Sequence, residues 1–194
     1  NKLAARFPDK EFSTLAYLYT MHPPKHVKPL PNVNIMLCDI DCDREVPLTD
    51  NASGQDFMKA MKGWAAISNN IFVWDYGINF DNFVSPFPNF PILQKNIQLF
   101  KEHHATMHFS QIGGSKGGDF PEMRAYMVSK LMWNPYQNAD SLMRAFMDGY
   151  YGAASPYIYQ YEKLLEGGLL ASKQRLWIYD SPVTHKDGML NANC

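Results

Sequence analysis

The sequence has few cysteines, almost no net charge and no long apolar run, and each of these shortages excludes a class of protein. Its 18 basic and 19 acidic residues leave a formal net charge of -1, so the basic surface typical of nucleic-acid-binding proteins is missing. No run approaches the roughly 18 apolar residues of a membrane-spanning helix. The first residues show no signal-peptide pattern either. The sequence therefore predicts no nucleic-acid partner and no membrane span.

The three cysteines are Cys38, Cys42 and Cys194, an odd number that gives no complete disulfide or metal pattern. The spacing of Cys38 and Cys42 is a weak metal signal, because no second pair of ligands completes it. We expect these two residues to be buried free thiols, with a metal site or a disulfide as the alternatives. The sequence predicts no cofactor and no metal.

What the sequence does have is a high content of aromatic residues, with 11 Tyr, 12 Phe and 4 Trp among its 194 residues. The chain is long enough for one domain with a real core. Aromatic side chains are also suited to surfaces that hold flat or amphipathic ligands, although an aromatic core accounts for most of them. The pattern of residues 1–9 predicts the last part of a helix. We therefore expect the chain to begin inside a larger unit.

The first 120 residues alternate between predicted strands and predicted helices, which is typical of right-handed βαβ units and a parallel sheet. From residue 121 the pattern changes to helices alone, so we divide the chain into residues 1–120 and a helical segment, 121–194. A last strand or a loop is predicted over 176–179. The strands are predicted over 12–19, 33–37, 70–74 and 106–111, and the helices over 53–68, 91–103, 123–133, 139–151 and from 155 onward.

The stretch from Asn70 to Asn79, NIFVWDYGIN, is the one on which the functional argument depends. Its apolar run predicts a strand buried on both faces. Trp74, Asp75, Tyr76 and Asn79 then fall at the carboxyl end of that strand. An aromatic face beside a carboxylate, a phenol and an amide suits a sugar ring, whose C–H face stacks while its hydroxyls need directional partners. The alternative is a packed loop in which Asp75 is a cap.

A second group of carboxylates follows the predicted strand 33–37, with Asp39, Asp41 and Asp43 before Arg44 and Glu45. Acidic residues in this position are either ion-paired surface or part of a site. A calcium loop of the EF-hand type is not predicted, because its glycine and its distant glutamate are missing.

Two further patterns have an enzymatic interpretation, and we regard both as chance. The loop from Gly113 to Asp119 contains Lys116 and could cradle a phosphate, but it lacks the order of a P-loop. Tyr126 and Lys130 have the Y-x3-K spacing of short-chain dehydrogenases, but no dinucleotide fingerprint follows the first strand.

Six stretches of the sequence occur in one order and are distinctive as a set. They are STLAYLYT with HPPK (13–25), IMLCDIDCD (35–43), FVWDYGINF (72–80), PFPN (86–89), FPEMRAYMVSKLMWNP (120–135) and FMDGYYGAASPYI (146–158). Together they resemble the bacterial domain-of-unknown-function family 4838, a glycosidase-like group placed with the TIM-barrel glycoside hydrolases. The resemblance covers nearly the whole chain.

The resemblance implies an α/β fold, namely the C-terminal half of a (β/α)8 TIM barrel followed by a helical segment. It also implies a periplasmic or extracellular protein that processes polysaccharides, with Trp74, Asp75 and Tyr76 as subsite residues. One departure concerns the strand within HFSQIGG, where the family pattern implies a Glu and this chain has Ser110.

Our first hypothesis is glycoside hydrolysis, with Trp74 stacking on a pyranose and with Asp75 or Asp41, the two candidate catalytic residues, as one of the two carboxylates. Such enzymes use two carboxyl groups, about 5 Å apart when retaining and about 6.5 to 9.5 Å apart when inverting. One carboxyl group gives a proton to the leaving oxygen, and the other acts as nucleophile or base.

Three further polar residues, Asn79, Gln111 and Arg124, are candidate partners for the sugar. The planar guanidinium of Arg124 would suit the carboxylate of a uronic acid. A structural role is an equal alternative for all three. The competing hypothesis for the whole chain is a non-catalytic glycan-binding protein on a barrel scaffold, which keeps the Trp and Tyr but lacks a facing pair of carboxylates.

Overall fold

A computed structural model describes residues 2–113 and 117–181, and within them four strands form one parallel sheet. The strands lie side by side in the order in which they occur along the chain, so every connection is a parallel crossover. This confirms the predicted α/β sheet. The strands are β1 Phe12–Ala16, β2 Val33–Cys38, β3 Ile71–Tyr76 and β4 Ala105–Gln111.

The helices follow the predicted pattern closely. Helix α2 connects β2 to β3, helix α3 connects β3 to β4, and α4 to α6 follow the sheet. None of these described helices is both long enough and apolar enough to span a bilayer. The helices are α1 Lys2–Arg6, α2 Ala52–Ala65, α3 Phe90–Glu102, α4 Pro121–Trp133, α5 Ala139–Tyr151 and α6 Ser155–Ser172, with 3-10 turns at Leu18–Thr20 and Gly152–Ala154.

One face of the sheet is covered by helices α2 and α3, and we call it the covered face. Side chains alternate across a strand, so every second residue of β2 and β3 points to these helices. This layer forms a closely packed apolar core. Its members include Ile35, Leu37, Ile71 and Val73 from the strands and Phe57, Met61, Trp64 and Phe100 from the helices.

The opposite face, which we call the open face, carries apolar side chains that the described residues leave partly exposed. Leu15 is 50% exposed and Phe109 is 43% exposed, while Phe72 and Trp74 are half-buried. The prediction that the strand 70–74 is buried on both faces is therefore wrong for the described residues. Among the described helices, α2 and α3 pack against the covered face.

Two strand boundaries differ from the prediction. Strand β3 continues to Tyr76, so Asp75 and Tyr76 belong to the strand and not to the loop after it. Strand β1 ends at Ala16, because Leu18 adopts a left-handed φ of 49° and begins a 3-10 turn.

The helices after the sheet pack together and against α3. Their shared core contains Met123, Met127, Leu131, Met143 and Met147, with Phe90 and Ile97 from α3. Helix α4, which is apolar nearly all round, still has an exposed side, where Trp133 is 90% exposed. The division of the chain at residue 120 into two parts stays a prediction.

A C-terminal segment over residues 176–180 lies across the carboxyl ends of the strands as a loop, not as a further strand. The Arg44 amide donates to the Leu176 carbonyl at 2.8 Å, and the Phe80 amide donates to the Ile178 carbonyl at 2.6 Å. Leu176 and Ile178 are buried in a third apolar cluster, which also contains Tyr76. The segment thus joins the loops that follow β2 and β3.

Candidate functional site

A pocket of about 340 Å³ opens where the open face reaches the carboxyl ends of the strands. It brings together three of the residues predicted from sequence, Trp74, Tyr76 and Gln111. The full lining consists of Leu15, Tyr17, Ile40, Trp74, Tyr76, Phe80, Gln111 and Tyr179. Most of this surface is aromatic, and its polar groups are phenols and one amide.

The Trp74 ring is held in place from three sides. Trp74 and Tyr76 are two residues apart on β3, so their rings lie on the same face and stack, with centroids 5.7 Å apart and planes 13° apart. Phe109, the neighbour of Trp74 in register on β4, meets the indole edge-on at 5.4 Å. The indole N–H donates to Gln111 Oε1 at 3.0 Å. These contacts fix the orientation of the indole.

Three aromatic residues of the pocket, Tyr17, Phe80 and Tyr179, were missed by the sequence reasoning. Leu15 and Tyr17 are two residues apart at the end of the first strand, and this spacing could have revealed that both lie on the open face. Tyr179 has no local signal, since it reaches Phe80, at 6.2 Å between ring centroids, only through the C-terminal segment.

Two phenols of the pocket, those of Tyr17 and Tyr76, have pKa values above the ordinary value of a tyrosine. Burial raises the pKa of Tyr17, with further contributions from Tyr179, Cys38 and the nearby Asp41. Burial also raises the pKa of Tyr76, as do Cys38, Tyr17 and Asp39. Protonated phenols can both donate and accept hydrogen bonds, as sugar hydroxyls require.

Asp75, a predicted catalytic residue, lies on β3 between Trp74 and Tyr76 and therefore points to the covered face. Its side chain is 11% exposed. Asp75 Oδ1 accepts a hydrogen bond from the Tyr76 amide at 2.8 Å, and Ser110 Oγ lies 3.5 Å from Oδ2. His108 Nε2 is 3.7 Å from Oδ2.

The carboxyl group that interacts with Asp75 across the strands is that of Asp39, and each of the two groups affects the pKa of the other. Arg44 Nη2 donates to Asp39 Oδ1 at 2.8 Å, and all three side chains are buried. Burial raises the pKa of Asp39 well above its ordinary value, and the Asp75 charge adds to the effect. Burial opposes ionisation of Asp75 too, but His108 and Arg44 outweigh it and lower the pKa of this carboxyl. The two environments thus shift the pKa values of the pair in opposite directions, upward for Asp39 and downward for Asp75.

The structure thus places Asp39 beside Asp75, whereas the sequence reasoning offered Asp75 or Asp41 as one of the two carboxylates and did not single out Asp39. Asp41 is exposed, on the loop after β2. The register of β2 and β3 would have predicted that Asp39 and Asp75 are close. Cys38 on β2 lies opposite Trp74 on β3, so the residues that follow them, Asp39 and Asp75, are neighbours.

Asn79 and Arg124 occupy structural positions. Asn79 is buried, its amide donates to the Asp180 carbonyl at 2.8 Å, and its Oδ1 accepts from the amides of Asp81 and Asn82. Arg124 is completely buried. Its guanidinium donates to Asp119 Oδ2 at 2.8 Å, to the Phe87 carbonyl at 3.0 Å and to Asn89. Neither residue lines the pocket.

Cys38 and Cys42 are buried and free, as predicted. Burial, with a contribution from Asp39, raises the pKa of the Cys38 thiol to about 12, so this thiol is an inert one. Within residues 2–113 and 117–181 no three His, Cys, Asp or Glu side chains form a group that could hold a metal ion. Cys194 and Lys116 lie outside the described residues.

Comparison with known protein families places the chain in one of them. The family model described as Domain of unknown function (DUF4838) matches residues 1–163. The chain belongs to this family. No curated protein and no solved structure matches it. The DUF4838 region contains all four strands and every lining residue of the pocket except Tyr179.

Proposed function

We propose that this chain binds carbohydrate, and that a sugar ring occupies the aromatic pocket formed by Trp74 and its neighbours. The observation that supports this function is the composition of the pocket wall. Aromatic rings offer faces for the C–H surface of a sugar, while the phenols and the Gln111 amide offer directional partners for its hydroxyls. The sequence resemblance to glycosidase-like proteins supports the same ligand class, and it favours a periplasmic or extracellular protein.

The size of the pocket also fits this proposal. Small-molecule sites have volumes of about 300 to 1,000 Å³, and the 340 Å³ found here is at the lower end of this range. A monosaccharide unit is a ligand of suitable size. The indole is already held by Tyr76, Phe109 and Gln111, so little side-chain order has to be gained when a ligand binds.

The test is a Trp74→Ala variant, compared with the parent by calorimetric titration against a panel of soluble oligosaccharides. We expect affinity for any bound glycan to fall at least tenfold, which corresponds to about 1.4 kcal/mol. Trp133→Ala is the matched control, because Trp133 is 90% exposed on α4 and does not line the pocket. Equal affinity of the two variants for a bound glycan contradicts the proposal, as does a complete lack of glycan binding by the parent.

Glycoside hydrolysis is the second candidate, and the coupled carboxyl pair favours it. Environments that push two carboxyl pKa values apart are typical of an acid and a base that act together. Here the pKa of Asp39 is raised and that of Asp75 is lowered, so Asp39 would be the acid and Asp75 the nucleophile or base. We rank binding first because neither carboxyl group lines the pocket and both belong to the buried layer.

Hydrolysis is tested with Asp75→Asn and Asp39→Asn variants on aryl glycosides. If the chain is an enzyme, each substitution reduces turnover at least a hundredfold, because the pair acts as a unit, while glycan binding is retained. Binding without turnover in the parent leaves the glycan-binding function alone.

We also propose that the sheet is half of a (β/α)8 barrel, with the open face as its inner wall. Parallel sheets are normally covered on both faces. The exposed Leu15, Met107 and Phe109 are the type of apolar side chain that fills a barrel interior. In a longer protein that contains this chain, hydrogen exchange along β1 and β4 should be slow. Rapid exchange at both strands there would contradict a closed barrel.

A further inference from the structure

We infer that the pocket selects uncharged sugars over uronic acids and other anionic sugars, with the Gln111 amide as its directional donor. This inference rests on the proposed carbohydrate-binding function and specifies its ligand class. Two observations support it: the described lining residues include no cation, and the Trp74 indole N–H donates a hydrogen bond to Gln111.

No cationic side chain lines the pocket within the described residues. The guanidinium of Arg44 lies 6.0 Å from the centre of the Tyr76 ring, but its hydrogen bonds are made elsewhere. Its Nε donates to the Tyr76 carbonyl, its Nη2 to Asp39 and its Nη1 to the carbonyls of Ile40 and Cys42. Arg124, the residue expected from sequence to suit a uronic acid, is likewise taken up by Asp119. A ligand carboxylate therefore finds no positive partner among the described residues that line the pocket.

The carboxylate of Asp41, on the exposed loop after β2, is not balanced by a cation on the described pocket wall. Asp41 contributes to the raised pKa of the Tyr17 phenol, which lines the pocket. Most of the remaining wall is apolar or aromatic. A carboxylate placed there would lose its hydration without gaining a counter-charge, which is strongly unfavourable. A neutral sugar has no charge to dehydrate, so its binding does not carry this free-energy cost.

The orientation of Gln111 follows from its hydrogen bond with Trp74. An indole N–H can only donate, so the amide oxygen of Gln111 must face it, and the amide nitrogen must point elsewhere. Among the described residues no acceptor is bonded to Gln111 Nε2. The pocket thus presents a fixed donor for a ring or hydroxyl oxygen of the ligand.

The test uses three forms of each sugar that differ only at C6. They are the methyl glycosides of glucose and galactose, the corresponding uronides, and the uronide methyl esters. Saturation-transfer NMR and calorimetry measure the affinity of the parent chain for each. We expect each uronide to bind at least tenfold more weakly than its neutral counterpart, and the methyl ester to recover most of the loss.

Two variants assign the effect to these residues. Gln111→Glu can still accept the Trp74 N–H but has no donor, so we expect at least tenfold weaker binding of the neutral sugars with an unchanged circular dichroism spectrum. Leu15→Arg adds a cation at a half-exposed lining position and should raise affinity for the uronides.

Three outcomes overturn the inference. Uronides that bind as tightly as the neutral sugars overturn it while the proposed binding function stands, provided that their binding still depends on Trp74. If Gln111→Glu binds the neutral sugars as tightly as the parent chain does, the Gln111 amide is not the donor to the ligand. No binding by any of the three sugar forms overturns both this inference and the binding function.

Discussion

The two faces of the sheet use the same strands for different purposes. On the covered face, buried apolar residues give way near the carboxyl ends to a buried network in which Arg44 binds Asp39 and Asp39 interacts with Asp75. On the open face, the same strand ends carry Trp74 and Gln111, which belong to an uncharged aromatic pocket. The charged side chains of this network are thus buried on the covered face, whereas the described residues that line the pocket carry no charged side chain.

This difference shows how a short sequence motif can mislead. Trp74, Asp75 and Tyr76 are consecutive and suggest one cluster of ring, carboxylate and phenol. Because side chains alternate along a strand, the rings point to one face and the carboxylate to the other. The carboxylate therefore belongs to the network that stabilises the fold, and the rings belong to the pocket.

The largest effect is expected when the covered network loses its cation. Arg44→Ala leaves Asp39 and Asp75 buried without their positive partner, and removing one member of a buried pair costs about 3 to 5 kcal/mol. Urea unfolding measures this loss. The control is Lys10→Ala, which breaks the exposed ion pair with Asp9 and should cost about 1 kcal/mol or less. Similar losses in both variants would mean that the buried network contributes no more than a surface pair.

Two leucines on neighbouring strands give a matched comparison of the faces. Leu37 is completely buried on the covered face, and Leu15 is half-exposed on the open face. Leu37→Ala should reduce the free energy of unfolding by about 2 to 5 kcal/mol. Leu15→Ala should reduce it by about 1 kcal/mol or less, because less apolar surface is lost from the core.

The same pair also tests the barrel proposal. In a longer protein with a closed barrel, Leu15 would be buried, and Leu15→Ala should then approach the cost of Leu37→Ala. A small cost there, with a large one for Leu37→Ala, would show that the open face stays uncovered.

The smallest effect, and the most specific, is an opposite pH dependence of the two carboxyl groups. The pKa of Asp39 is raised above 3.8 in the folded state, so its contribution is present at low pH and is lost as the pH rises through the raised pKa. The pKa of Asp75 is lowered, so its contribution is present above 3.8 and is lost as the pH falls through the lowered pKa. The two substitutions to Asn should therefore change stability with opposite slopes.

Relative to the parent, Asp39→Asn should become more stable as the pH rises, because the amide cannot ionise. Asp75→Asn should be least stable at neutral pH, and its deficit should shrink on acidification. Urea unfolding at a series of pH values from 3 to 8 measures both curves. Parallel curves for the two variants would mean that the two pKa values are not shifted in opposite directions.

Much of the fold could be predicted from the sequence because its signals are local. Apolar runs and helical spacing indicate the strands and helices, and their alternation indicates a parallel sheet. The grouping of Trp74, Tyr76 and Gln111 was also predictable, since parallel strands bring their carboxyl ends to one edge. What depends on register was missed: the pairing of Asp75 with Asp39 is visible only when Cys38 is known to lie opposite Trp74.

Other parts of the site could not be predicted because their causes are distant in sequence. Tyr179 enters the pocket through contacts of the C-terminal segment with residues about 100 positions earlier. Arg124 has the chemistry of a ligand-binding residue, but Asp119, Asn89 and the Phe87 carbonyl take up its donors. Composition and spacing do not reveal such partners.

The position of Tyr179 has a consequence for the order in which the protein is made. Synthesis proceeds from the N-terminus, and β1 to β4 are complete by Gln111, long before residues 176–180 leave the ribosome. The hydrogen bonds that hold this segment link residues as far as 133 positions apart, and contacts of such separation form late in folding. A nascent chain that ends before Leu176 can thus contain all four described strands and still lack the wall of the pocket that Tyr179 forms.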